Sequence, residues 1–169
     1  MVDKFNLPEF DGKSAYSGAI RFYDHSSYNW EQEWGDLYGS LKPNFSLFAI
    51  DVFGTAYGTL LDGNVAIFWS ETGELESIEA TQEEFFEMIL EDPNATLNYD
   101  FHLSAIKMLG KPDYNEHFAF KVEISLGGSM SINNLIIMES NKHFRAMANI
   151  AKQINNLPIG SVINNISYE

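Results

Sequence analysis

From Phe45 to Glu79 the chain runs as short strand-like stretches, FSLFAID, TAYGTL, VAIFW and ELESI, separated by turns that carry glycine. Asp62-Gly63 and Thr72-Gly73 each stand between two such runs, where a tight hairpin needs positive φ at its centre. Phe53-Gly54 breaks the first pair in the same way. The pattern predicts three or four adjacent antiparallel strands in a meander.

The period then changes from two to that of a helix. In ATQEEFFEMILED, Thr81 stands three residues before Glu84, the spacing of a reciprocal cap, so a helix begins at Thr81 and ends at Pro93. Phe85, Met88 and Ile89 are expected on its apolar face, with Glu83, Glu87 and Glu91 on a solvated acidic one. YDFHLSAIKMLG reads as a second helix closed by Gly110. After the loop KPDYNEH, FKVEISL and SINNLIIM read as two strands joined or bent at Gly127-Gly128, being short and rich in β-branched residues. A last helix spans NKHFRAMANIAKQI, and SVINNI is expected to add a closing strand. The expectation is one α+β domain over residues 1–169, a mainly antiparallel meander packed with about three helices.

Composition narrows the function. The 169 residues contain 45% hydrophobic side chains, enough for a packed core, and no apolar run approaches the ~20 residues that span a bilayer. No cysteine is present, which excludes thiol catalysis and disulfides and fits a cytoplasmic location, as does the lack of a basic, apolar leader. Ten basic against twenty-four acidic residues give a formal charge of -14. Such a field repels nucleic acid and anionic membranes and attracts basic proteins, although acidity also serves solubility alone.

Few residues carry recognisable chemistry. His25, His102, His117 and His143 stand in no metal-binding spacing, and there is no phosphate loop, dinucleotide fingerprint or nucleophile elbow. No catalytic residue, metal or cofactor is expected. Glu71, Glu74, Glu76 and Glu79 could supply paired carboxylates for a hydrolase, but acids at alternate positions of a meander are more often its wet face.

Taken in order, FAIDVFGTAYG, VAIFWSETGELESIEATQEEFFEMIL and FKVEISLGGSMSINNLIIMESNKHFRAMANIAKQINNLPIG resemble the bacterial branch of the SUKH superfamily, named in part for yeast Smi and Knr proteins. The likeness covers about Phe45 to Gly160. It rests on Asp-x-Phe-Gly, Glu-Thr-Gly-Glu, an acidic helix, Leu-Gly-Gly, Asn-Leu and a final Ala-x-Gln-Ile helix. The Leu-Gly-Gly and Asn-Leu pieces are similar also to the C-terminal domain of type VI secretion immunity proteins. The resemblance implies a small α+β fold without enzyme activity, serving polymorphic toxin systems as an immunity protein that binds and neutralises a secreted toxin. A regulatory or housekeeping protein-interaction module of the same fold is the alternative, and a carboxylate-based hydrolase a more distant one.

Phe53, Gly54, Trp69, Gly73, Gly127, Gly128, Asn134 and Leu135 carry the pattern and read as scaffold: the glycines for turns, Asn134 for exposed backbone, Leu126 and Leu135 as core anchors. Residues 1–44 lie outside it. There, SSYNWEQEWGDLYG sets Trp30 and Trp34 among Glu31, Glu33 and Asp36, the mixture of buried aromatic area and acidic rim that suits docking of a basic toxin domain. The competing expectation is that the two tryptophans, four apart, pack one helical turn onto the sheet and leave the acids in water.

Overall fold

The computed structural model describes residues 4–167, so the outermost residues of the domain expected over 1–169 lie outside the described residues. Two short strands come first, β1 (Ser14–Ala15) and β2 (Ile20–Phe22). The helical turn α1 (Trp30–Glu33) and a 3₁₀ segment, Gly35–Leu41, follow. The predicted meander is β3 (Ser46–Asp51), β4 (Ala56–Thr59), β5 (Val65–Trp69) and β6 (Glu74–Ser77). After it come α2 (Gln82–Glu91), α3 (Pro93–Leu97) and α4 (Tyr99–Leu109), then β7 (Glu116–Phe120), β8 (Leu135–Glu139) and α5 (Ser140–Ile154).

The fold is α+β, as the periodicities predict. β1 to β6 join in sequence order into one antiparallel sheet, and β7 pairs with β8 separately. The sheet is longer than the three or four strands expected because residues 14–22, from the segment without a sequence signature, pair onto β3.

Both faces of the sheet are covered, which is why VAIFW is a continuous apolar run and does not alternate. On one face Phe22, Ala49, Tyr57 and Val65 meet Phe85, Phe86 and Ile89 of α2. On the other, Leu47, Ile50, Ala56 and Phe68 meet Trp30, Trp34 and Tyr38 together with Phe144 and Met147 of α5. A register shift between Leu47 and Ala49 places Phe48 and Ala49 against the same face, the signature of a β-bulge. β6, at the edge, is exposed along its length and guarded by Glu74 and Glu76.

Several local expectations shift. α2 begins at a capping box, with the Glu84 N–H donating to Thr81 Oγ1 and the Thr81 N–H to Glu84 Oε2. Its buried stripe, however, is Phe85, Phe86 and Ile89, and Met88 is exposed. β2 extends the sheet so that Phe22 and Phe48 meet Phe86 edge-on, rotating the helix toward that side. Pro93 does more than stop α2: it opens α3, whose free N–H groups at Asn94 and Ala95 are taken by the Asp92 carboxylate. The first late strand is EHFAF and not FKVEISL; residues 121–134 form a loop with two 3₁₀ turns. Leu126 is only half-buried, leaving Leu135 as the core anchor. No strand forms over 161–167, where Ser167 and Gln153 exchange hydrogen bonds and fasten the tail to α5.

Among the described residues no helix is long and apolar enough to cross a membrane.

Candidate functional site

The tryptophans of the first candidate surface are core residues. Trp34 is fully buried and stacks on Phe144 at 4.2 Å with rings nearly parallel, and Trp30 lies against Trp34 and Phe45. What the segment shows to solvent is Glu31, Glu33 and Asp36. Lys42 pairs with Glu31 at 3.4 Å and Asp36 at 2.8 Å, and Glu33 accepts from Asn141 Nδ2 at the start of α5. The aromatic half of the expected hot spot is therefore unavailable to a partner.

A different place gathers chemistry. The β3–β4 turn, the end of β5, the 121–134 loop and α5 converge on a cleft of about 220 Å³. Each edge is built from a piece of the sequence pattern. In the β3–β4 turn the Asp51 carboxylate accepts from the Phe53 and Thr55 N–H groups at 2.9 and 3.0 Å and from the Tyr57 hydroxyl at 2.9 Å. Burial pushes Asp51 up to about 6 against the pull of those hydrogen bonds. The turn so fixed presents Phe53, stacked beside Phe101 and Phe120, and holds Gly54 at φ +91. That left-handed φ favours glycine, and a Cβ there would also lie 2.8 Å from Met147 Cε, a flexible end that would have to shift. Ser70 Oγ ties the turn to β5 by donating to Gly54 O.

The loop edge is organised by Asn134. Its Nδ2 donates to Val122 O and Ser129 O at 2.8 and 3.0 Å while its Oδ1 accepts from the Val122 N–H at 3.0 Å. Gly127 takes φ +88 in open space, whereas Gly128 is pressed against the Val122 carbonyl. That packing turns Glu123 inward. Of the remaining scaffold residues, Gly73 at φ +75 receives Leu41, Trp69 stands partly exposed at the mouth with its Nε1–H donating to Glu76, and Leu135, the first residue of β8, is buried.

The floor is a run of titratable groups. Glu123 is nine-tenths buried, and Glu71, just past the end of β5, lines the same cleft. His143 Nε2 lies 3.5 Å from Glu123 Oε1 without making a hydrogen bond. Behind it His143 Nδ1 faces His117 Nδ1 at 3.0 Å, so one ring donates and the other accepts. Burial and the His143 ring hold His117 well below the usual histidine range, and it is neutral. Burial, then the nearness of Glu123, pushes Glu71 up to about 7, moderated by the Ser125 N–H. Among the described residues no three His, Asp or Glu side chains converge as a metal site.

Of the four acids weighed for a hydrolase, only Glu71 faces this cleft; Glu74, Glu76 and Glu79 are exposed. Sequence reasoning missed Glu123, His117 and His143. A signal existed: His143 shares the helical stripe of Met147 and Ile150, and Glu123 interrupts an apolar run, both marks of a polar side chain held inside.

The Glu71 shift has a consequence for stability. A carboxyl whose folded value lies above its unfolded one contributes fully below about 4.5 and loses that contribution as pH rises through about 7. Its neighbours Glu123 and Tyr38 carry no positive charge that would hold it ionised. Glu71→Gln is therefore expected to be more stable than the native chain by about 1–2 kcal/mol at pH 8, the gain vanishing toward pH 4.5. Urea midpoints taken across that range check it; parallel curves for the two proteins would contradict it.

Comparison with known proteins falls on the part of the chain that closes the cleft. Residues 79–151, less than half of the chain, match the family model described as T6SS immunity protein Tdi1, C-terminal. Of the two resemblances read from the sequence, this supports the immunity-protein one. No curated protein matches. The fold is similar to the crystal structure of Atu4351 from Agrobacterium tumefaciens at a TM-score of 0.54 and 12% identity, over 80% of this chain and 68% of that one.

Proposed function

We propose that the protein is an immunity protein that binds and neutralises a secreted bacterial toxin, without catalysis of its own. The match of residues 79–151 to a T6SS immunity domain carries this reading. The SUKH-like order of motifs points to the same protective role, and a formal charge of -14 favours a basic toxin domain as the partner. A shared regulatory use of the fold would need the same surfaces but no toxin.

The test is co-expression with the effector encoded beside its gene. Growth restored by this chain, and a stable complex of the two purified proteins, are expected; intoxication undiminished, with no complex, would overturn the reading. A second arm addresses Glu31, Glu33 and Asp36. Changing all three to Lys should leave the fold intact, since all are exposed and surface pairs such as those of Lys42 contribute little. Association should slow by about tenfold at low ionic strength and lose part of its salt dependence. Unchanged rates in stopped flow would place the docking face elsewhere, with Glu83, Glu87 and Glu91 of α2 next in line.

A further inference from the structure

We infer that the cleft above Glu71 and Glu123 is a receptacle for an arginine side chain presented by a basic partner protein. The inference rests on the toxin-binding reading and adds the contact through which the partner is held.

Size comes first: about 220 Å³ falls below the range of drug-sized ligand sites and suits one long side chain. The walls are flat and apolar, with Phe53 and Phe120 inside and Trp69, Ile124 and Met130 around the mouth. Trp69, Ile124 and Met130 are between 39% and 48% exposed, an apolar rim left open by the described residues. Such a rim excludes water around a central buried contact.

Charge decides what enters. Among the described residues no lysine or arginine lines the cleft, yet two carboxyl groups stand at its floor, one of them nine-tenths buried. The cationic group that the fold itself could offer is His143, whose buried Nε2 remains 3.5 Å from Glu123 with no hydrogen bond made. A buried carboxyl group at the floor of an apolar cleft, with no described cation in hydrogen-bond contact, offers an incoming cation a partner away from water. A planar guanidinium suits the place better than an ammonium: its fork can donate to both carboxylates while its faces stack on aromatic rings. On entry, Glu71, pushed up to about 7 by burial, gives its proton to solvent as the guanidinium arrives.

The probe is the peptide acetyl-Gly-Arg-Gly-amide, titrated into the full chain and followed by amide and indole NMR. Shifts should cluster on the Trp69 Nε1–H and the Gly54 and Thr55 amides. They should weaken with lysine in place of arginine, be absent with citrulline, and disappear in the Glu71→Gln, Glu123→Gln double variant. Met130→Lys, at an exposed position where folding is not at stake, should abolish them too by setting a cation at the mouth. Equal shifts from arginine and citrulline, or none from either in the folded native chain, would overturn the inference. With the toxin, the double variant should bind about 30-fold more weakly or worse. A toxin that binds native and double-variant chains equally refutes the cleft and leaves the immunity reading standing. Arginine-specific shifts in a chain that binds no toxin refute the immunity reading and leave the cleft's ligand standing.

Discussion

Trp34→Ala is expected to cost about 4 kcal/mol, a large part of what a domain of this size has to lose. The side chain is fully buried between the 3₁₀ segment and α5, stacked on Phe144 at 4.2 Å, with Phe68 and Tyr38 at 6.1 and 6.0 Å. Truncation leaves a cavity whose walls belong to three different elements, so no single one can collapse into it. Trp34→Phe keeps a ring on Phe144 and should cost about 1 kcal/mol. Urea denaturation of both variants is the measurement. Near-native stability of the Ala variant would mean that the segment over 30–41 is not part of the core, and would return Trp34 to the surface as a candidate contact.

The second large effect is at Gly128. A Cβ there would lie 1.8 Å from Val122 O and 2.8 Å from Glu123 O, a collision with backbone that no rotamer change relieves. Nor can the Val122 carbonyl step aside, because Asn134 Nδ2 holds it at 2.8 Å. Gly128→Ala should therefore cost about 3 kcal/mol or more, or else swing the loop outward and carry Glu123 out of the cleft. Gly127, its neighbour, has φ +88 but open space, so Gly127→Ala should cost only about 1 kcal/mol of backbone strain. The pair separates two reasons for glycine, close approach and left-handed geometry, within one dipeptide. Urea midpoints that rank the two variants equally would refute the close packing of the loop. Arginine-peptide shifts unchanged in a folded Gly128→Ala protein would show that the loop does not set the position of Glu123.

Much of this molecule is written locally. Asp62-Gly63 and Thr72-Gly73 specify hairpins because their left-handed glycines satisfy turn geometry whatever surrounds them. Thr81 and Glu84 specify a helix start for the same reason, their reciprocal hydrogen bonds spanning three residues. Periods of two and of 3.6 are likewise short-range properties, so the α+β class and the meander follow from the chain alone. Tertiary structure decided everything that depends on which face meets which. Whether Trp30 and Trp34 point into a core or out to a partner depends on α5 arriving more than a hundred residues later. The place of the strand before the 121–134 loop was decided by Phe118, whose N–H donates to Val52 O at 2.8 Å, a pairing that no local propensity encodes. Glu71 looked like its neighbours Glu74 and Glu76 along the chain. Only the packing of the 121–134 loop against the end of β5 sets it beside Glu123 and, unlike Glu74 and Glu76, gives it a raised affinity for its proton. Short-range hydrogen bonding and side-chain periodicity are readable residue by residue; desolvation and the meeting of charges from distant segments exist only once the chain has closed on itself.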